Sequence, residues 1–269
     1  MLVLEFRIVL PLSVDEYKVG QLYSVALASL EETGGGEGIE VLQNEPFEGV
    51  PLLGGQYTSG QYTRKMYHFA SKVSWWIRKL APKKALMALE EAWNAYPYCK
   101  TVVTSQNDDY VITVESLHLA DRGTTENALQ LPADLLAHRK VEFVEIAGKM
   151  INSKDYKKQY DPTLFKSSKT GRGPLANGWE KTHDPVMCCY KVIKIEVKGY
   201  SLLRGRIQSY LAREYPRTFQ RFHRQVFCTI DQWHGMTMDD VREFEKKTKD
   251  ELDRQRMSKN VRGSTAPEE

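Results

Sequence analysis

Residues Tyr96–Leu117 read YPYCKTVVTSQNDDYVITVESL. Two runs, Tyr96–Thr104 and Tyr110–Leu117, alternate in side-chain character with a period of two. Between them lies Gln106-Asn107-Asp108-Asp109, a cluster of turn-forming residues. This is the pattern of an antiparallel pair, and the rest of the chain extends it. Leu2–Leu10 alternates around Phe6, Ile8 and Leu10 and stops at Pro11. Ile39–Leu42, Val141–Ala147 and Met187–Val197 are further expected strands, and Gln56–Val73 is expected to be a strand pair or one long strand. A first helix starts at Ser13, which with Glu16 has the form of a capping box. It runs through Val19, Leu22, Tyr23, Ala26 and Leu30 and ends at the glycines after Thr33. A second helix is expected from about Pro82 to Trp93. A long one carries Ile207, Tyr210, Phe219, Phe222, Val226, Ile230 and Trp233 at helical spacing, and Pro216 should kink or split it. Thr237, with Asp240, caps a last helix, and the tail after Met257 is expected to fray. Strands in antiparallel-style runs followed by long helices describe an α+β fold.

Composition sets the limits. The chain has 269 residues, 41% hydrophobic and 27% charged. That excludes disorder, collagen and coiled coil as whole-chain descriptions. No apolar run approaches the roughly 18 residues of a membrane span. The opening segment carries Glu5 and Arg7, so it reads as a strand and not as a signal peptide. The four cysteines, Cys99, Cys188, Cys189 and Cys228, have no zinc-type spacing, and reduced thiols in a cytoplasmic protein are expected. No metal site is expected.

The net charge of +3 hides an uneven distribution. Pro51–Leu89 contains Arg64, Lys65, Lys72, Arg78, Lys79, Lys83 and Lys84 and no acid. Lys149–Lys181 is a second basic segment. Both point to an anionic partner or surface. Within the first segment sits Ser71-Lys72-Val73-Ser74-Trp75-Trp76-Ile77-Arg78-Lys79. Adjacent tryptophans point to opposite faces of a strand and diverge by about 100° on a helix. One of them is therefore exposed to a membrane interface, or the pair bridges two core layers; the missing acids favour the interface. Nucleic acid is disfavoured: the isoelectric point of 8.5 lies under the guideline of about 9, and no recognised binding motif occurs. No nucleophile elbow or dinucleotide fingerprint occurs either. On strands, Cys99 shares a face with Thr101, and Thr63 with Lys65. Such faces either look out to solvent or line a cavity with a polar end.

Several segments resemble the phosphatidylinositol transfer protein family. They are Leu12-Ser13-Val14-Asp15-Glu16-Tyr17 through Val25, Glu32-Thr33-Gly34-Gly35-Gly36-Glu37-Gly38 and Gln43-Asn44-Glu45-Pro46-Phe47. They continue with Ala92-Trp93-Asn94-Ala95-Tyr96-Pro97-Tyr98-Cys99, Phe165-Lys166-Ser167 and Lys169-Thr170-Gly171-Arg172-Gly173-Pro174. Phe222-His223-Arg224-Gln225 and Met236-Thr237-Met238-Asp239-Asp240-Val241-Arg242 close the series, which spans nearly the whole chain.

The resemblance implies one domain over residues 1–257 with a flexible tail, 258–269. It implies a curved, mainly antiparallel sheet wrapped with long helices around one lipid cavity, similar to the helix-grip fold. The activity implied is carriage of one phosphatidylinositol or phosphatidylcholine and its exchange at a membrane surface, by a cytoplasmic monomer that docks transiently. The phospholipid is cargo; no cofactor, catalysis or nucleic acid is implied. A lipid sensor presenting phosphatidylinositol to kinases is the alternative, and an enzyme using the same cavity a weaker third. Inositol-ring contacts carry over to Thr63, Lys65, Asn94 and Glu245. Thr63 is chosen over Thr58, in the echoed Gly-Gln-Tyr-Thr, because Lys65-x-Tyr67-His68 follows it. Phosphate contacts carry over to Gln21, Thr101, Ser116 and Lys191; the family usually has Thr at Ser116. Cys99 and Phe222 fit the branch that also carries phosphatidylcholine, and Ser167 matches a phosphorylation position. On residues alone, Glu245 reads first as a partner of Lys249 on a solvated helix face. Two departures stand out. A Trp-Trp pair common in the family near Gly199-Tyr200 is missing, and Trp75-Trp76 falls in the family's lipid-exchange loop, where membrane contact is then expected.

Overall fold

The computed structural model describes residues 1–68, 86–199, 204–258, 260 and 262. Trp75, Trp76, Tyr200 and most of the tail lie outside the described residues, so the expectations placed on them are not addressed by it. The described strands are β1 (Leu2–Leu10), β2 (Gly38–Leu52), β3 (Tyr57–His68), β4 (Met87–Ala95), β5 (Tyr98–Ser105), β6 (Tyr110–Leu119), β7 (Lys140–Phe143) and β8 (Met187–Val197). The helices are α1 (Val14–Glu32), α2 (Ala133–His138), α3 (Trp179–Thr182), α4 (Arg204–Cys228), α5 (Ile230–Trp233) and α6 (Met238–Met257). The strands form one open, curved sheet in the order β2-β3-β4-β5-β6-β8-β1-β7. Every pairing is antiparallel except β1 with β7. The fold is α+β, as the strand pattern implies.

Local signals survive where they are strong. Ser13 and Glu16 form both halves of a capping box at the start of α1, and Thr237 and Asp240 do the same for α6. The β5–β6 turn closes through the Asp108 amide on Ser105 O, with Asp108 at φ +56°.

Three expectations need correction. First, Met87–Trp93 is not helical but forms most of β4. Its Ala, Leu, Met and Glu residues favour helix by composition. Hydrogen bonding to β3 on one side and β5 on the other overrides that preference. Residues 82–85 of the expected helix are outside the described set. Second, the short strand Ile39–Leu42 is the first part of a 15-residue strand, β2. Pro46 and Gly49 disguise it. An edge strand tolerates Pro because one row of its amides needs no partner, and β2 is the sheet's edge. Third, α4 continues through Pro216, and the break comes instead at Thr229, between α4 and α5. There the Thr229 hydroxyl donates to Gln225 O at 2.8 Å.

Both faces of the sheet are covered. One packs Phe6, Ile8, Leu10, Cys189, Ile193 and Ile195 against α1, α4 and α5 through Tyr17, Val226, Phe227, Ile230 and Trp233. The other packs Val3, Tyr98, Leu117, Cys188, Tyr190 and Val192 against Ala128, Leu129 and Leu131. Adjacent Cys188 and Cys189 thus serve opposite cores, which is why they lack any metal-ligand spacing. A loop locks α1 in place. Arg172 donates to both Glu16 oxygens, at 3.0 and 2.9 Å. Farther along α1, Gly20 admits the Trp233 indole, which is 1% exposed and donates to Val226 O at 3.0 Å. A Cβ on Gly20 would lie 2.8 Å from that ring. Gly20→Ala improves helix propensity by about 1 kcal/mol, yet it should destabilise the protein by about 1–3 kcal/mol through overpacking. Urea unfolding of the variant checks this.

Candidate functional site

The register fixes one face of the sheet row by row. In the first row Asn94 lies opposite Cys99, Cys99 opposite Ser116, Ser116 opposite Lys191, and Lys191 opposite Phe6. Two residues along, the row is Thr63, Ala92, Thr101, Val114, Ile193 and Leu4. Two further along it is Lys65, Glu90, Val103, Ile112, Ile195 and Leu2. Opposed residues and residues two apart share a face. All seven sheet residues proposed from the sequence therefore fall on the face covered by α1 and α4. The second and third rows are polar at the β3–β5 side and apolar at the β8–β1 side, while the first stays polar as far as Lys191 on β8 and turns apolar at Phe6.

Contacts tie the helices to these rows. From α1, the Gln21 amide donates to Cys99 Sγ at 3.8 Å, and the thiol donates to Asn94 Oδ1 at 3.3 Å. Gln21 Oε1 is buried with no partner. Lys191 Nζ donates to Ser116 Oγ at 3.3 Å and sits 5.4 Å from the Phe219 ring of α4. Lys65 pairs with Glu90 at 3.3 Å, the two side chains only 15% and 13% exposed. Tyr67 donates to the other Glu90 oxygen at 2.8 Å. Glu90 escaped the sequence reading because its segment reads as helix. Read as a strand, its spacing of four from Asn94 puts both on one face.

This face is not packed solid. Burial pushes the Cys99 thiol up to about 11, against the lowering effects of Gln21 and Lys191. Burial likewise raises the Tyr67 and Tyr215 phenols. Yet all three residues keep partly accessible surface. These three side chains are thus only partly covered beneath α1 and α4.

An aromatic cluster the sequence did not reveal lies between α1, α4 and the sheet. Tyr17 stacks on His223 at 6.0 Å and lies 5.0 Å from His118, which stacks on Tyr96. His118 Nδ1 faces Pro97 O and His223 Nδ1 faces Phe219 O, so each Nδ1 carries the proton. His223 Nε2 accepts from Tyr17 OH at 3.0 Å. His118 Nε2 is buried without a partner.

The other proposed residues lie apart from the rows. Phe222 is on α4, edge-on to His223 at 5.1 Å. Glu245 is on the α6 stripe that includes the buried Val241, Thr248 and Leu252, and its carboxylate accepts from Arg242 at 2.6 Å, not from Lys249. Among the described residues no contact joins it to Thr63, Lys65 or Asn94. Ser167 is 2% exposed and its hydroxyl donates to Asp231. Ser168 and Lys169 amides donate to the same carboxylate. Burial alone would raise Asp231, but these donors hold it at about 2. In this conformation Ser167 is not presented to a modifying enzyme. No cluster of His, Cys, Asp and Glu among the described residues is arranged to hold a metal ion, and no described helix is long and apolar enough to cross a membrane.

The family model described as phosphatidylinositol transfer protein matches residues 1–250. The chain belongs to the phosphatidylinositol transfer protein family. It is 45% identical over 274 residues to the phosphatidylinositol transfer protein beta isoform of Homo sapiens, covering 99% of this chain and 98% of that one. It is 46% identical over 256 residues to phosphatidylinositol transfer protein 1 of Dictyostelium discoideum, covering 94% of each. The family resemblance read from the sequence is therefore correct, and its relatives are named for transfer and not for catalysis.

Burial, reinforced by the Lys191 charge, lowers His223 to about 3. The unfolded chain, with a histidine near 6.5, then binds the extra proton between those values. Stability from this site is full above pH 6.5 and falls as pH drops toward 3, by about 2 kcal/mol at pH 5. Urea unfolding at pH 7 and pH 5 should show that loss, and His223→Gln should reduce it.

Proposed function

We propose that this chain encloses one phospholipid, phosphatidylinositol or phosphatidylcholine, in a space between the sheet and helices α1 and α4, and exchanges it between membranes. The observation that carries the proposal is the polarity gradient across the covered face. Thr63, Lys65, Asn94 and Thr101 gather at one side, and Leu4, Phe6, Ile193 and Ile195 at the other. A molecule with a polar head and an acyl tail matches that lining. The driving force is burial: each CH₂ moved into water costs about 0.8 kcal/mol, so a carrier must replace the bilayer for the tails.

In this reading Lys191 and Ser116 take the phosphodiester, with Gln21 and Thr101 adding donors. Thr63, Lys65, Asn94 and Glu245 exchange hydrogen bonds with inositol hydroxyls. The Thr63 and Thr101 hydroxyls have no hydrogen bond among the described residues, so they are free to serve a ligand. Cys99 and Phe222 border the headgroup and the tails. Trp75-Trp76 and the surrounding basic residues contact the membrane during exchange, and the protein works as a cytoplasmic monomer that docks transiently. No bond in the lipid is broken, and no cofactor takes part.

The test is vesicle-to-vesicle transfer of labelled lipids. Wild-type protein should move both. Thr63→Val should lower phosphatidylinositol transfer at least about tenfold, because a buried hydrogen bond to the ring is lost, and lower phosphatidylcholine transfer less than about twofold. Equal loss of both lipids would show that Thr63 does not read the ring. A bound lipid without any transfer would replace carriage by presentation.

A further inference from the structure

We propose that Glu90 is the residue that lets this site accept a choline headgroup as well as an inositol ring. The proposal rests on the carrier reading above. The β3–β4 register sets Glu90 directly opposite Lys65, and their charges meet at 3.3 Å. Tyr67 donates to the second carboxylate oxygen. Glu90 is thus a mostly buried carboxylate held between an ammonium and a phenol hydroxyl on the face beneath α1 and α4.

The charges decide what each headgroup requires. A phosphodiester anion is balanced by Lys191. Lys65 is balanced by Glu90. Phosphatidylinositol adds no further charge, only hydroxyls, which accept from Lys65 and donate to Glu90. Phosphatidylcholine adds a permanent cation that donates no conventional hydrogen bond. Such a cation is stabilised by a carboxylate and by aromatic faces. Without Glu90 it would meet the Lys65 ammonium in a poorly screened interior. Glu245, the other acid assigned to the headgroup, pairs with Arg242 on its own helix and makes no contact with Lys65 among the described residues, so it does not offset that ammonium. Glu90 is therefore needed for choline far more than for inositol, a specificity role distinct from that of Thr63 or Asn94.

The experiment loads the full chain from vesicles containing equal amounts of the two lipids and weighs the bound lipid by native mass spectrometry. Wild-type protein should carry both. In Glu90→Gln the ratio of phosphatidylcholine to phosphatidylinositol should fall about tenfold, while Glu90→Asp, which keeps the charge, retains at least about half of the wild-type ratio. Removing one partner of a buried pair sometimes prevents folding, so a second comparison runs without Lys65. Lys65→Met/Glu90→Gln should show the same roughly tenfold fall relative to Lys65→Met alone. An unchanged ratio in both comparisons overturns the proposal and leaves the carrier reading intact. Wild-type protein that loads neither lipid, or phosphatidylinositol alone, overturns the dual-headgroup reading and this proposal with it.

Discussion

The hydrogen-bonded register that runs from β3 through β4, β5 and β6 to β8 decides which side chains meet inside the protein. Because side chains alternate, a slip of one residue in any pair would turn a whole row outward. Slipping β4 would replace Glu90, Ala92 and Asn94 with Glu91 and Trp93. Both now lie on the other face, where Glu91 accepts from Tyr62 and Trp93 packs against it. The same register holds Ser116 beside Lys191 and Cys99 beside Asn94. The polar side and the apolar side of the interior are therefore consequences of strand pairing, before any ligand is considered.

The helices convert that face into an enclosure. α1 is fixed at its start by Glu16, shared between the capping box and Arg172, and along its length by the fit of Gly20 to Trp233. α6 lies on α1, with Tyr23 stacked on Phe244 at 4.7 Å. Its end reaches the sheet edge, where Arg256 and His68 both face Glu40. His118 and His223 stay neutral beside Tyr17, since burial and the nearby Lys191 both disfavour a charged imidazole.

How much was legible in the sequence follows from the range of each signal. The hairpin at Tyr96–Leu117, both capping boxes and β1 are local patterns and read directly. β4 was misread because helix-forming composition is local, whereas the pairing that overrules it comes from β3 and β5. That error also hid Glu90. The full length of β2 was hidden by Pro46, whose tolerance depends on an edge position that only the topology reveals. The site residues came from motif resemblance, since nothing in their spacing brings Thr63, Thr101 and Lys191 together. Glu245 shows the limit of that route: its number carries over, but its observed partner is Arg242.

The central claim is that the space beneath α1 and α4 holds one phospholipid. Native mass spectrometry of the purified, full-length chain tests it directly. The account predicts a mass increment of one phosphatidylinositol or one phosphatidylcholine per chain. A chain that stays lipid-free, both as purified and after incubation with vesicles of the two lipids, would contradict it.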